Sequence, residues 1–412
     1  MRRVTLYLVC VFVFVIPIED TITISGLGTI SKLVGAFLFF VVLLHTIVLG
    51  KIRRIDKFDI LFFIFIVWGT LTYFWSFDKI ISAQRILTNV QLLIMILILR
   101  EFLSNGKARL MILQSYVLGA IVSVTSVISS YVQNKSLYGN RFVAQGFDPN
   151  DLGLILALSL PIAWYLSLKQ KNKFININRV YIPLGYFSII LTASRTAFVV
   201  SLIGLLYIFI TFHQLSKKSR IIIFLAVLLV SSYLYNLIPE ASVERLSTIN
   251  KEVSSGDLND RTNIWKCAFT LFYVQWANGV GIGAFPQAVL DCYGARMVAH
   301  NTFISILVEQ GVIGFFVFSL VILYLVYVLI KFTDPEHRVL YIICMIMLFL
   351  GVNFLTWEHR KVFWLILALI ASGNLHKETP SLAPSRRPVK KSAYAGFSHS
   401  IVELYGNNEW KE

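Results

Sequence analysis

Long apolar runs follow one another from the first residues almost to the end of the chain. They cover residues 4–18, 30–49, 58–75, 80–99, 110–132, 152–168, 181–192, 197–212, 221–238, 302–330, 340–355 and 362–371. A helix needs about 20 mainly apolar residues to cross the hydrocarbon of a bilayer. The runs therefore predict an all-α polytopic membrane protein with about twelve transmembrane helices. Composition agrees. Hydrophobic residues make up 57% of the 412 and charged residues only 14%, against about 25% charged in a soluble domain. Intrinsic disorder is excluded, because it needs low hydrophobicity and high charge. Four cysteines exclude a disulfide-built scaffold. The first run passes into Pro17-Ile18-Glu19-Asp20 with no small-residue cleavage site, so it reads as a retained helix rather than a signal peptide.

The net charge of +15 is concentrated in alternate loops. Arg2 and Arg3, Lys51 to Lys57, Arg100 to Arg109, Lys169 to Arg179, Lys217 to Arg220, Lys331 and Arg338, and the tail all fall on one side. By the positive-inside rule that side is cytoplasmic, and an even number of spans puts both termini there. Nucleic acid is not expected as a partner, since there is no basic face on a soluble domain and no binding motif. The other side carries two long segments, 133–150 and 239–299. The second includes an amphipathic stretch, 259–272, which Asn259 or Asp260 is placed to cap. The expected organisation is a membrane domain over 1–375, with a long exterior loop, 239–299, between helices 9 and 10. A cytoplasmic tail, 376–412, rich in Pro, Ser and basic residues, is expected to be disordered. Neither an internal repeat nor the paired broken helices of an inverted-repeat transporter is visible.

With no soluble catalytic domain, chemistry must sit at the outer face or in the membrane. Nucleotide-binding motifs are absent. The glycine-rich 279–283 segment reads as a turn rather than a phosphate loop. No His/Cys/carboxylate cluster has metal-ligand spacing, so no metal is expected. Cys267 and Cys292 lie on the outer side, either as buried thiols or as a pair. The informative residues are the few polar ones at the outer boundary. Arg195 occupies the outer junction of two short spans. It is either a headgroup anchor or a functional group accepted despite the cost of placing an arginine near hydrocarbon, about 2.5–3.5 kcal/mol. The exterior position, where such anchors are scarce in this chain, favours function. Arg261 begins the amphipathic stretch one turn before Trp265, which allows a cation–π contact. Arg141 is a third exterior arginine. Guanidinium groups are always charged and bind phosphate oxygens through paired bonds, so their convergence suits a diphosphate. His300 opens the 302–330 helix. A lone histidine is more often structural than catalytic. At 100° per residue Gly311 and Gly314 fall on the His300 face, where they admit a close helix neighbour, while Glu309 falls opposite.

Taken in order, these residues resemble a known family. His300-Asn301, followed after nine residues by Gly311-x-x-Gly314, resembles the signature of bacterial O-antigen ligases. Ser194-Arg195, Arg261-x-x-x-Trp265, the Gly281-Ile282-Gly283 turn and Asp148-Pro149-Asn150-Asp151 are similar to features shared by O-antigen ligases and O-antigen polymerases. The resemblance runs from about Arg141 to Trp364. The position after Gly314, often Gly, Thr or Tyr in ligases, is Phe315, and polymerases share most of the other features, so both activities stay open.

The resemblance implies a GT-C-type membrane glycosyltransferase of the bacterial inner membrane. Such an enzyme takes a glycan from an undecaprenyl-diphosphate carrier at the periplasmic face and needs neither nucleotide nor metal. The acceptor is lipid A–core for a ligase, or a second lipid-linked glycan for a polymerase. His300 then matches the proposed catalytic histidine, and Arg195 and Arg261 the diphosphate-binding arginines. Arg141 is added on charge and side, with Asn301, Gly311 and Gly314 in support. Two rival readings are weaker. A secondary transporter should show acidic residues or interrupted helices within the membrane, and the carboxylates here fall in loops or at span ends. A scaffold gives no reason for His300, Arg195 and Arg261 to gather on one side.

Overall fold

The computed structural model describes residues 2–374 apart from 25, 27, 50–53, 138–139, 171–173 and 249–260. The 376–412 tail and the caps expected at Asn259 and Asp260 lie outside the described residues. Each apolar run forms a helix. In chain order these are α1 (Arg2–Val15), α2 (Ile30–Leu49), α3 (Lys57–Leu71), α4 (Lys79–Leu103), α5 (Gly106–Val132), α6 (Pro149–Lys169), α7 (Phe174–Leu191), α8 (Arg195–Thr211) and α9 (Lys217–Tyr235). The long loop after α9 contributes the short α10 (Glu240–Ser247), α11 (Arg261–Val274), α12 (Phe285–Ala288) and α13 (Leu290–Tyr293). The chain then re-enters the bundle as α14 (Thr302–Lys331), α15 (Pro335–Val352) and α16 (Lys361–Ala371). A two-residue hairpin, β1 (Thr23–Ile24) with β2 (Gly28–Thr29), joins α1 to α2.

The helices start where the sequence supplies a cap. Asp56 and Asp59 form a reciprocal capping box at α3. Asp78, Asn105, Asp148, Ser194, Ser216 and Asn301 accept first-turn amides at α4, α5, α6, α8, α9 and α14. Ten helices among the described residues are long and apolar enough to cross a membrane. The remaining two expected spans, α1 and α16, are 14 and 11 residues long.

At the basic end Arg100 is fully buried. It donates to Asp56 Oδ2 at 2.5 Å, to Asp59 Oδ1 at 2.6 Å and to the Ala371 carbonyl at 3.2 Å. Paired on several sides, the guanidinium is retained where an isolated charge would be too costly. Arg109 meets His337, and Lys169 meets Glu336, at the same end. The opposite, loop-rich end carries the described residues of 133–148 and 236–301.

α16 links these two ends. Its last carbonyls reach Arg100, while Lys361, its first residue, pairs with Glu19 at 2.6 Å at the loop-rich end. Eleven residues of helix rise only about 16 Å, roughly half the hydrocarbon thickness. All residues from Val362 to Ala371 are buried. The segment that feeds it, 353–360, is largely non-helical and packs Leu355, Trp357 and Glu358 inside the protein. The protein thus covers this irregular backbone, as it must wherever such a segment is kept from water. The span expected at 362–371 is thus a short enclosed helix beneath a polar recess.

α14 departs from the sequence expectation of uninterrupted helices. It breaks at Gly311, whose φ of 66° and ψ of −173° belong to a region essentially confined to glycine. Several of the freed backbone groups are engaged from outside the helix. Val280 N–H donates to Val308 O, Gly281 N–H to Glu309 O, and the Trp68 indole to Gln310 O, at 2.9 Å each. Beyond the break, Val312 N–H donates to Trp276 O at 2.8 Å. The 279–283 segment is therefore a turn, as expected, and its task is to pair with the broken helix. Glu309 also lies inside a span rather than at its edge, 3% exposed. Its carboxylate accepts the Gly283 amide at 2.7 Å and the Phe285 amide at 3.3 Å.

Candidate active site

Asn301 is the cap of α14. Its side chain accepts the Phe303 and Ile304 amides and donates to the Asn353 carbonyl at 3.1 Å. His300 therefore stands just before the helix, with φ at 49°, instead of opening it. The helical-face comparison with Gly311 and Gly314 fails for that reason, and because Gly311 is itself not helical. Gly314 does admit a close neighbour, since a side chain there would strike the Trp68 indole of α3. The backbone before His300 is held by Trp265, whose indole donates to Ala299 O at 2.8 Å. Arg261, from the same helix α11, lies over the Phe354 ring at 5.8 Å. Burial, and then the Arg261 charge, hold the His300 pKa below its ordinary 6.5, with Asp148 pulling the other way. The imidazole is therefore neutral at pH 7. Cys267 of α11 and Cys292 of α13 are joined by a disulfide, so the pair left open by the sequence is formed.

The arginines gather around the turn between α7 and α8. Arg141 is buried, and donates to the Thr192 carbonyl at 2.8 Å and to Asn150 Oδ1 at 2.9 Å. The same Asn150 oxygen accepts the Ser194 hydroxyl at 3.0 Å. Arg195 and Arg245 clasp each other's strands: Arg195 Nε donates to Arg245 O at 3.0 Å, and Arg245 Nε to Ala193 O at 3.2 Å. Burial, followed by the charge of Arg245, lowers the Arg141 pKa to about 10, while Asp148 opposes and Arg195 adds to the effect. Arg141, Arg195 and Arg245 thus share one electrostatic neighbourhood, and Asp148 connects it to His300. Arg245 did not stand out in the sequence, because it sits in a polar stretch with nothing local to distinguish it.

His300 and Asp148 also line a cavity of about 480 Å³, together with Lys32, Arg85, Arg360 and Lys361. Arg360 pairs with Asp151 and, at 3.2 Å, with Asp20. A neighbouring recess of about 260 Å³ shares Arg85 and His359 with the cavity and adds Glu309 and Glu358. Glu309, Glu358 and His359 bring their ligand atoms within 4.8 Å of one another, a geometry able to hold a metal ion. Linear spacing could not show this grouping, because Glu309 is distant in sequence from the other two. His359 Nδ1–H donates to Asn89 Oδ1 at 3.0 Å, and Ser305 donates to Glu358 at 2.6 Å. Burial, then Arg85 and Arg360, push the His359 pKa well down, so the ring is neutral. Arg85 already supplies a positive charge that acts on all three residues. The signal for this region was the run Glu358-His359-Arg360-Lys361 between two apolar segments, together with Arg85 inside one.

Fold and site define a polytopic helical membrane protein with an arginine cluster and a neutral histidine beside a polar cavity at one end of its bundle. Residues 180–319, from α7 to beyond the break in α14, match the family model described as O-antigen ligase. This match, over about a third of the chain, supports membership of the O-antigen ligase superfamily, which includes ligase- and polymerase-type glycosyltransferases. His300, Arg195, Arg261, Asn301, Gly311 and Gly314 fall inside the matched region, and Arg141 falls before it. No curated protein matches the chain significantly.

Proposed function

We propose that the protein transfers a glycan from an undecaprenyl-diphosphate carrier to a sugar hydroxyl at the periplasmic face of the bacterial inner membrane. The favoured acceptor is lipid A–core, making the enzyme an O-antigen ligase. A polymerase acting on a second lipid-linked glycan is the alternative. What supports this reading is a neutral histidine within electrostatic reach of Arg261 and Asp148, with Asp148 also acting on Arg141, which lies by the turn that Arg195 and Arg245 clasp. An acceptor hydroxyl needs a base as it attacks the anomeric carbon, and a neutral imidazole can take its proton. The bond to the diphosphate breaks, and negative charge grows on the leaving oxygens. Guanidinium groups fixed beforehand stabilise that charge at no cost of reorganisation. In this reading Arg195, Arg261 and Arg141 hold the diphosphate, and no nucleotide or metal is called on. The Cys267–Cys292 disulfide is in keeping with an oxidising exterior compartment.

The test is transfer from purified lipid-diphosphate glycan by the His300→Ala variant. Turnover should be lost, with the protein still present in the membrane at normal level. Near-normal transfer would return His300 to a structural role. In a deletion strain, loss of lipid A-linked long chains while lipid-linked polymer accumulates identifies a ligase, whereas loss of the polymer itself identifies a polymerase.

A further inference from the structure

A second feature of the cavity concerns how a lipid reaches His300. Lys32, Thr88 and Lys361 line both the polar cavity and an adjacent apolar groove of about 170 Å³. The groove runs between α2 and α4, floored by Phe12 of α1, Leu92 and Met95. Its walls are hydrocarbon, and its head is cationic. Of the cations there, Lys361 is committed to Glu19 and Arg360 to Asp20 and Asp151. Lys32 and Arg85 are exposed and make no ion pair within salt-bridge distance among the described residues. An apolar groove that meets a cationic cavity at Lys32, with Arg85 further along the cavity wall, is complementary to a molecule with a hydrocarbon tail and an anionic head. Arg141, Arg195 and Arg261 do not form part of this cavity wall, whereas His300 does.

We propose that the α2–α4 groove receives a hydrocarbon chain of the phosphorylated acceptor lipid, with its phosphate held by Lys32 and Arg85. The glycan would then extend into the cavity toward His300. The assignment to the acceptor rests on the transferase reading above, in which the arginines around the α7–α8 turn take the donor. The two lipids would approach His300 from different elements, and the base would face the hydroxyl that it deprotonates.

The experiment uses the full chain in nanodiscs and geranylgeranyl diphosphate carrying a diazirine on its prenyl tail, with crosslinks mapped by mass spectrometry. Crosslinks are expected on α2 and α4 as well as near the α7–α8 turn. Ala36→Trp fills the groove from an exposed position of α2. It should abolish the α2 and α4 crosslinks and leave those near α7–α8 as an internal control of folding. Lys32→Gln with Arg85→Gln should weaken the same set and raise the acceptor KM by about tenfold, with donor KM unchanged. Absence of crosslinks on α2 and α4, their survival in both variants, or a rise in donor KM alone would overturn the proposal. Crosslinking is read without turnover. A fully active His300→Ala would therefore remove the catalytic reading and leave the groove standing as a lipid site, while a failed groove leaves the catalytic reading intact.

Discussion

At His300, burial and the Arg261 guanidinium act in the same direction, each favouring the neutral imidazole, and Asp148 acts against them. If this imidazole is the base, the rate falls only when pH drops low enough to protonate it, so the acid limb lies below the ordinary 6.5. Removing a cation makes protonation easier. Arg261→Gln should therefore move the acid limb to higher pH, and Asp148→Asn should move it lower, in rate profiles at saturating donor. Opposite or absent shifts would separate His300 from the rate-determining proton transfer. Arg195 divides its guanidinium between the Arg245 carbonyl and whatever its remaining N–H groups face. Lysine has no planar fork with which to do both. Arg195→Lys should lose about 1.5–3 kcal/mol of donor binding or transition-state stabilisation, the worth of a charged hydrogen bond. A headgroup anchor would instead keep full transfer, since lysine snorkels equally well.

At the scale of elements, the break in α14 joins the exterior loop to the bundle through backbone hydrogen bonds. Gly311→Ala places a side chain where the Ala277 carbonyl lies, in a conformation that alone costs about 1–3 kcal/mol. The variant should melt earlier in detergent, and the 276–281 amides should exchange faster with solvent. An unchanged exchange pattern would show that the loop docks by other means. The helices and their starts were legible in the sequence, because apolar runs and Asp, Asn and Ser caps are local signals. The break was not, because the composition of 302–330 stays apolar through it. The groups that satisfy it come from Trp68 and from 276–281, which are distant along the chain. The site was legible in the same partial way. His300, Arg195, Arg261 and Arg141 stand out as rare polar residues at span edges, whereas Lys32, Arg85 and Arg245 join them only through folding.

For the whole molecule, the segregation of charge predicts which end faces which compartment. A single reporter cysteine at Lys266 should be labelled by an impermeant reagent in intact cells, and one at Lys217 only after lysis. The reverse pattern would invert the orientation and place the pocket in the cytoplasm. The two ends differ in construction as well. The basic end closes on the Arg100 cluster, while the other end is hollowed by the cavity above α16. That helix has a consequence for the timing of biosynthesis. α16, almost wholly enclosed, follows every other long described helix in the chain, and it brings Arg360 and Lys361 to the cavity. Earlier spans can enter the bilayer and associate, but they have no floor to close upon until residues 361–371 emerge. The pocket is thus completed only after all the other spans that line it, and a chain that stops before residue 360 is left with an open bundle rather than a partly working site.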